Sequence, residues 1–135
     1  MKIKMIKFEN YVEPLRKHYN DAGLDVCATE YVALWPHESK AIGVGFGIEL
    51  PDGMAAFICP RSGMSSKGIT CNLAAIDSGY RGEIHALITN TTNEKYIINK
   101  GDRIGQLIVF PILIPEFVED LGETRGTNGL GSSGK

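Results

Sequence analysis

A chain of 135 residues in which 43% of the side chains are hydrophobic is expected to fold as one domain, with a core that needs no disulfide or metal. The formal net charge of −2 argues against binding of nucleic acid or an anionic membrane through a large positively charged surface, because such binding needs clustered excess Lys and Arg. Any anionic ligand must therefore be held by a local site.

The cysteines and histidines indicate a reduced protein without zinc. Cys27, Cys59 and Cys71 cannot all pair within one chain, and each lies in an apolar run that is typical of a strand. We expect buried thiols in a cytoplasmic protein. A zinc site is not expected, because the chain has no CxxC pair and its histidines lack ligand spacing. Neither a bilayer-spanning run nor an N-terminal leader is evident, so no membrane association is expected.

The first half of the chain has the pattern of short strands. Residues 2–7 alternate polar and apolar side chains, which predicts a strand with one wet face. After a loop at 15–20, the acidic turn around Gly23 enters an apolar stretch. Residues 31–35 and 39–50 also read as strands, and the second has glycine at 43, 45 and 47. Glycine on one face of a strand suggests close backbone approach or curvature.

The second half continues this pattern with one short helical turn. Strands are predicted at 54–59, just before the acidic turn at 77–82, from Glu83 onward, at 96–98 and at 104–114 before Pro115. One helical turn is predicted at 62–67. Many short strands with turn signals between them imply an all-β sandwich, barrel or jelly roll.

The composition changes at Gly122. Residues 122–135, GETRGTNGLGSSGK, are glycine-rich and polar, so we expect a flexible arm that follows a single β domain at 1–121. Most such tails are simply disordered. Arg125 and the pair Ser132 and Ser133 nevertheless allow a phosphate-binding role, because glycine leaves backbone amides free to face an anion.

Five motifs follow one another in an order typical of one family. They are AGLD at 22–25, PRSG at 60–63, IDSGYRGEI at 76–84, GDRIGQLI at 101–108 and RGTNGLGSSG at 125–134. On these motifs the sequence resembles the trimeric dUTP pyrophosphatases, or dUTPases. The resemblance implies a distorted, β-clip-like jelly-roll subunit, a homotrimer with three shared active sites, and a Mg²⁺ cofactor. It also implies hydrolysis of dUTP to dUMP and pyrophosphate, which limits uracil in DNA and supplies dUMP for thymidylate synthesis.

The resemblance assigns the catalytic and sugar contacts to one turn. Hydrolysis of a phosphoanhydride needs a positioned water, donors for phosphate oxygens and a metal, but no covalent nucleophile. Asp77 would orient the water and contact the sugar 3′-hydroxyl, since an ionised carboxylate accepts from both. Tyr80 would pack under deoxyribose and exclude a 2′-hydroxyl. Taken alone, Asp77 reads as a turn former and Tyr80 as a strand-edge aromatic.

The same resemblance implies the phosphate and metal contacts. Asp25 would meet Mg²⁺ through water, because this ion keeps much of its hydration. The phosphate chain would contact Arg61, Ser62, Gly63, Gln106 and, from the tail, Arg125, Ser132 and Ser133. Outside this context, PRSG is an ordinary turn and Gln106 a polar strand residue. Asp102 and Arg103 are compatible with a plain surface turn.

The strands around 69–75 resemble the uracil-binding hairpin of the family, and the uracil contacts there depart from the family pattern. Asn72 would add a side-chain contact, but it is one residue closer to Asp77 than in the family. Ala74 and Ala75 stand where glycine is usual. Leu130 replaces the aromatic residue that would stack over the base, where stacking is worth about 1–3 kcal/mol.

Two rival functions use the same fold or pocket. A dCTP deaminase would place a proton-shuttling glutamate about ten residues beyond the aspartate, where residues 85–89 carry no carboxylate. A nucleotide-sensing regulatory protein would use the pocket to control a protein partner. In the trimer that the resemblance implies, one chain supplies Asp25, Arg61, Ser62 and Gln106, a second the Asp77 and Tyr80 turn, and a third the tail.

Overall fold

The structure is a computed structural model that describes residues 1–120 and Gly122. This part of the chain is nearly all β, with a single one-turn helix. In chain order the elements are β1 (Lys4–Lys7), β2 (Leu24–Cys27), β3 (Val32–Leu34), β4 (Ser39–Gly43), β5 (Phe46–Glu49), β6 (Met54–Cys59), α1 (Ser62–Ser65), β7 (Ile69–Asn72), β8 (Ala75–Ile76), β9 (His85–Asn90), β10 (Tyr96–Ile98) and β11 (Arg103–Pro111).

All strand pairs in the described part are antiparallel. The largest sheet has the order β2-β11-β6-β8, and a second sheet has the order β4-β9-β7. Two-stranded sheets pair β1 with β5 and β3 with β10. Neighbours in these sheets are often distant in sequence, so the strand order brings remote motifs side by side.

Most predicted strands are confirmed, although several begin or end a few residues away from the predicted bounds. The hairpin that the resemblance implies at 69–75 is wrong, because β7 pairs with β9 and β8 pairs with β6 in a different sheet. The strand predicted at 39–50 is divided into β4 and β5 at Gly45, where φ is +83°, a backbone conformation that extended strands do not contain. The strand predicted from Glu83 begins at His85, because the preceding Ile84 pairs its backbone with Val44 and Phe46 instead.

The last strand is also shorter than predicted. β11 ends at Pro111, opposite Met54, the first residue of its partner β6. Ile112 still donates to the carbonyl of Gly53 in the turn before β6, but among the described residues no strand lies beside residues 113 and 114. The apolar side chains that follow remain in solvent: Leu113 is 92% exposed and Phe117 is 91% exposed. This segment, 112–118, is an apolar surface that the described part of the subunit leaves uncovered.

The core fills the space between the sheets with aliphatic side chains. Phe46 of β5 is fully buried and meets Tyr11 edge to face, with ring centroids 6.4 Å apart. Ile42, Ile88 and Ile104 bring β4, β9 and β11 into the same cluster. Within the described residues, no helix is long and apolar enough to cross a membrane.

The cysteines are free thiols on the strands where the sequence predicted them. Cys27 and Cys71 are buried, whereas Cys59 is only half-buried, so the expectation of full burial was wrong for that residue. Burial raises the pKa of all three thiols, and for Cys71 it raises the pKa to about 11. These thiols are poor nucleophiles near neutral pH.

Candidate active site

The first group of predicted site residues lies where β2, β11 and the start of α1 meet. In the register of the β2 and β11 pair, Asp25 is opposite Gln106. The Asp25 carboxylate is 3.5 Å from Arg61 Nε and 3.4 Å from Arg103 Nη1. This carboxylate is only 21% exposed, so the two guanidinium groups balance a partly desolvated charge.

Backbone carbonyls hold the long side chains of this group in place. Arg61 donates from Nη1 to the carbonyl of Arg103 at 3.3 Å. Gln106 donates from Nε2 to the carbonyl of Pro60 at 3.0 Å. Both bonds join the residues before α1 to β11, so the PRSG and GDRIGQLI motifs form one rigid unit.

An open cavity lies beside this unit. It has a volume of about 460 Å³ and is lined by three cationic residues, Arg61, Lys67 and Arg103, and one acidic residue, Asp102, with Gly63 at the start of α1. Ser62 and Gly63 occupy the first turn of α1, where helix geometry leaves N–H groups without intrahelical acceptors. Cationic side chains and unpaired amides suit an anionic chain of phosphates.

The second group of predicted residues surrounds a smaller pocket next to β8. This pocket has a volume of about 240 Å³ and is lined by Asp77, Tyr80, Ala74 and Ala75, among others. Asp77 is exposed at the pocket and follows β8 directly. The Tyr80 hydroxyl donates to the carbonyl of Glu83 at 2.6 Å, which fixes the ring across the pocket.

The structure separates the two groups within one chain. Ile76 of β8 pairs with Ala56, so Asp77 lies level with Ala55 near the start of β6. Arg61 follows the other end of the same strand. At about 3.3 Å per residue, the six residues between those levels span roughly 20 Å. One subunit therefore presents two half-sites at opposite ends of β6.

Not every predicted residue joins a half-site. Asn72 is exposed at the end of β7, and the smaller pocket is lined without it. The residues predicted in the tail, Arg125, Leu130, Ser132 and Ser133, lie outside the described part of the chain. The boundary predicted between 121 and 122 falls at the same limit.

Two residues at these half-sites were missed by sequence reasoning. Arg103 had been compatible with a surface turn, but it contacts Asp25 and the phosphate-side cavity. Its position in the GDRIGQLI motif, two residues after Gly101, was the available signal. Glu83 was predicted only as the start of a strand, within the IDSGYRGEI motif. No periodicity predicts its contact with Gly45, which is 38 residues away in sequence.

Comparison with known proteins shows the family to which the chain and its half-sites belong. The family model described as dUTPase matches residues 9–134. The chain belongs to the dUTPase family. A deoxyuridine 5′-triphosphate nucleotidohydrolase from Leifsonia xyli is 47% identical over 128 residues, covering 90% of this chain and 84% of that protein. The corresponding enzyme from Clostridium novyi is 40% identical, covering 93% of each. The chain is therefore an enzyme that hydrolyses dUTP.

Solved dUTPase structures agree with the described fold. The dUTPase of Staphylococcus bacteriophage 80alpha, solved with dUPNHPP, superposes with a TM-score of 0.86 at 29% identity and covers 98% of each chain. A mutant dUTPase from phage phi11 of S. aureus, reported with a structural Mg(II) ion, gives a TM-score of 0.83 at 28% identity over 90% of this chain and 98% of that one. The predicted jelly-roll fold is confirmed.

Proposed function

We propose that this dUTPase converts dUTP to dUMP and pyrophosphate by attack of water on the α-phosphate, in a site that two half-sites from different subunits complete. The observation that carries the proposal is the position of Asp77 and Asp25 at opposite ends of β6. The reaction would limit uracil in DNA and supply dUMP for thymidylate synthesis.

Asp77 is the residue proposed to orient the attacking water. Its carboxylate is exposed at a pocket lined by Ala74, Ala75 and Ile76, so a nucleotide bound there would bring its sugar beside the carboxylate. A carboxylate can accept a hydrogen bond from water and from the 3′-hydroxyl together. Tyr80, held by its hydroxyl, would lie under the sugar ring and leave no room for a 2′-hydroxyl.

The cationic half-site is proposed to hold the phosphates. Arg61 and Gln106 are fixed by backbone carbonyls, so their remaining donors are oriented before substrate arrives. The Ser62 hydroxyl and the amides of Ser62 and Gly63 add donors from the first turn of α1. From the tail, Arg125, Ser132 and Ser133 would contact the γ-phosphate.

Mg²⁺ fits this half-site only as an ion that the phosphates carry. Among residues 1–120 and Gly122, no three His, Cys, Asp or Glu side chains come together as a metal site. Asp25 offers one carboxylate, which suits contact with a hydrated ion whose direct ligands are phosphate oxygens. Bound there, Mg²⁺ would offset the charge that develops on the phosphate chain.

A homotrimer is proposed as the assembly that brings the half-sites together. Segment 112–118 supports this, because its exposed apolar side chains would be covered by a neighbouring copy.

Uracil would lie beside the residues that join β7 to β8, near Asn72, with Leu130 of the tail above it. Because a leucine cannot stack as an aromatic ring does, we expect Leu130→Phe to tighten dUTP binding.

The test is pyrophosphate release from purified protein offered dUTP, dTTP, dCTP and UTP in turn, with Mg²⁺ and with chelator. Release is expected with dUTP alone and only with Mg²⁺. Asp77→Asn should lower kcat by at least about 100-fold, since it removes the water-orienting carboxylate. Asp52→Asn, a nearby carboxylate whose Oδ1 lies 3.5 Å from Ser78 Oγ, is the matched control and should retain activity. Ammonia release from dCTP would instead indicate a deaminase.

Regulation of a protein partner is the second candidate function. It is favoured by the likeness to phage 80alpha dUTPases, which are described as controlling the transfer of virulence genes. The discriminating experiment is a pull-down from host lysate with and without a non-hydrolysable dUTP analogue. Capture of one protein that depends on the nucleotide supports a regulatory role, and capture that ignores the nucleotide contradicts it.

A further inference from the structure

The turn that carries Tyr80 rests on three glycines of the β4–β5 segment. A Cβ on Gly43 would stand 2.5 Å from Glu83 Oε2, and a Cβ on Gly47 would overlap the carbonyl of Gly82. Between them, the Gly45 N–H donates to Glu83 Oε2 at 2.9 Å. Gly43 therefore leaves room for the Glu83 carboxylate and Gly47 for the Gly82 carbonyl, while Gly45 supplies an N–H. Together the three glycines form a backbone cradle for this turn.

Backbone bonds extend the same contact on both sides of Gly45. Val44 donates to the carbonyl of Ile84 at 3.0 Å, and Ile84 donates to the carbonyl of Phe46 at 2.9 Å. Ile84 is buried, so this junction is excluded from solvent. The side chain of Glu83 is only 28% exposed, which strengthens its bond to the Gly45 N–H over that of a surface carboxylate.

Glu83 also fixes Tyr80 through its own carbonyl. That carbonyl accepts the Tyr80 hydroxyl at 2.6 Å and lies 3.0 Å from His85 Nδ1. The Tyr80 ring packs directly on Gly82, where a Cβ would stand 2.6 Å from the hydroxyl oxygen. The orientation of the ring thus depends on the Glu83 backbone, which the Glu83 carboxylate anchors to Gly45.

We infer that Glu83 is a positioning residue for sugar selection, which acts by holding Tyr80 at the height that excludes a ribose 2′-hydroxyl. This inference rests on the proposed function, in which Tyr80 lies under deoxyribose. Loss of the anchor lets the turn and the ring move outward. The enzyme then loses more discrimination between dUTP and UTP than catalytic rate.

The test compares kcat/KM for dUTP and UTP in Glu83→Ala, Glu83→Gln and Gly43→Ala. Glu83→Ala is expected to lower the dUTP/UTP ratio about tenfold, because a charge-assisted bond is removed. Glu83→Gln should keep more of the ratio, since its amide oxygen still accepts from Gly45. Gly43→Ala should lower the ratio with Glu83 intact, because the added Cβ displaces the carboxylate.

Glu38→Ala is the matched control. The Glu38 carboxylate also accepts a backbone N–H, from Trp35 at 3.2 Å, but it lies in the β3–β4 turn away from both half-sites. Its removal should lower the melting temperature without changing the dUTP/UTP ratio. In a Tyr80→Phe background, Glu83→Ala should not lower the dUTP/UTP ratio further. The Tyr80 hydroxyl, through which Glu83 holds the ring, is already absent from that background.

Affinities for dUpNHpp and its ribonucleotide counterpart provide a second readout that does not need turnover. An unchanged ratio in folded Glu83→Ala and Gly43→Ala, or full additivity with Tyr80→Phe, overturns the inference. If the wild-type protein binds dUpNHpp more tightly than the ribonucleotide analogue but hydrolyses nothing, the proposed function fails. The ratio of the two affinities in the variants then still decides the role of Glu83. If it binds neither, both proposals fail.

Discussion

Gly23 lies so close to Gln106 that a Cβ built on Gly23 would stand 2.5 Å from Gln106 Oε1 and 2.8 Å from Gln106 Cβ. The second contact is with the stem of the side chain, which cannot swing away as its amide can. Gln106 is therefore held between the AGLD turn and the carbonyl of Pro60. A residue larger than glycine at position 23 would displace the side chain proposed to contact the α-phosphate.

The first prediction is that Gly23→Ala raises the KM for dUTP about tenfold, because the Gln106 amide can no longer reach its place. Steady-state pyrophosphate release measures the effect. Gln106→Ala, which removes the amide outright, should show a similar KM. A wild-type KM in Gly23→Ala, with a loss in Gln106→Ala, would mean that the strand shifts to accommodate the methyl group.

The second prediction concerns Arg103, whose guanidinium faces both Asp25 and the phosphate-side cavity. Arg103→Ala should raise the KM for dUTP about tenfold and change the melting temperature little, because partly exposed ion pairs stabilise folds by only about 0–1 kcal/mol. Lys40→Ala is the control, since Lys40 forms a comparable pair with Glu38 at 3.6 Å. Equal KM values in the two variants would show that Arg103 does not contribute to dUTP binding.

The third prediction is that segment 112–118 holds the trimer together. Leu113→Ser combined with Phe117→Ser should weaken association, because full burial of each side chain would contribute about 1.5–3 kcal/mol. Light scattering should detect smaller species, and dUTP hydrolysis should fall on dilution. Tyr19→Ser removes a side chain that is 93% exposed and isolated, so it should leave the trimer intact. A double variant that stays trimeric would show that the trimer interface lies elsewhere on the subunit.

The fourth prediction concerns the Cys71 thiol. Burial raises the pKa of this thiol from 9.0 to about 11. The unfolded chain ionises this thiol at lower pH than the folded one, so its contribution to stability is complete below pH 9 and is lost as pH rises toward 11. The shift corresponds to about 2–3 kcal/mol. Urea unfolding between pH 8 and 11 should show a steeper fall in the free energy of unfolding for wild type than for Cys71→Ala.

The sequence predicted the strands well because their signals are local. Residues 54–59 and 96–98 carry continuous apolar runs between turn residues, and both are strands with those bounds. The break at Gly45 was hidden because apolar residues alternate across it, and only its positive φ reveals the change of direction. The end of β11 depends on where its partner begins, which no pattern within residues 104–114 records.

The site was predictable in content but not in arrangement. The motifs named Asp25, Arg61, Gln106, Asp77 and Tyr80, and these residues lie at two half-sites. The ion pair between Asp25 and Arg103 joins residues 78 positions apart, so it follows from the register of β2 and β11 rather than from any local spacing. The contact between Glu83 and Gly45 likewise joins residues that are 38 positions apart, so no local spacing predicts it.

The placement of the half-sites at the two ends of β6 has a genetic consequence. In the proposed trimer, each chain contributes its two half-sites to two different active sites and its tail to the third, so two inactive chains need not make an inactive assembly. Subunits that carry Asp77→Asn keep an intact phosphate half-site, and subunits that carry Arg61→Ala keep an intact sugar half-site. When the two are coexpressed, mixed trimers contain one site built entirely from the undamaged halves, and two null alleles complement each other.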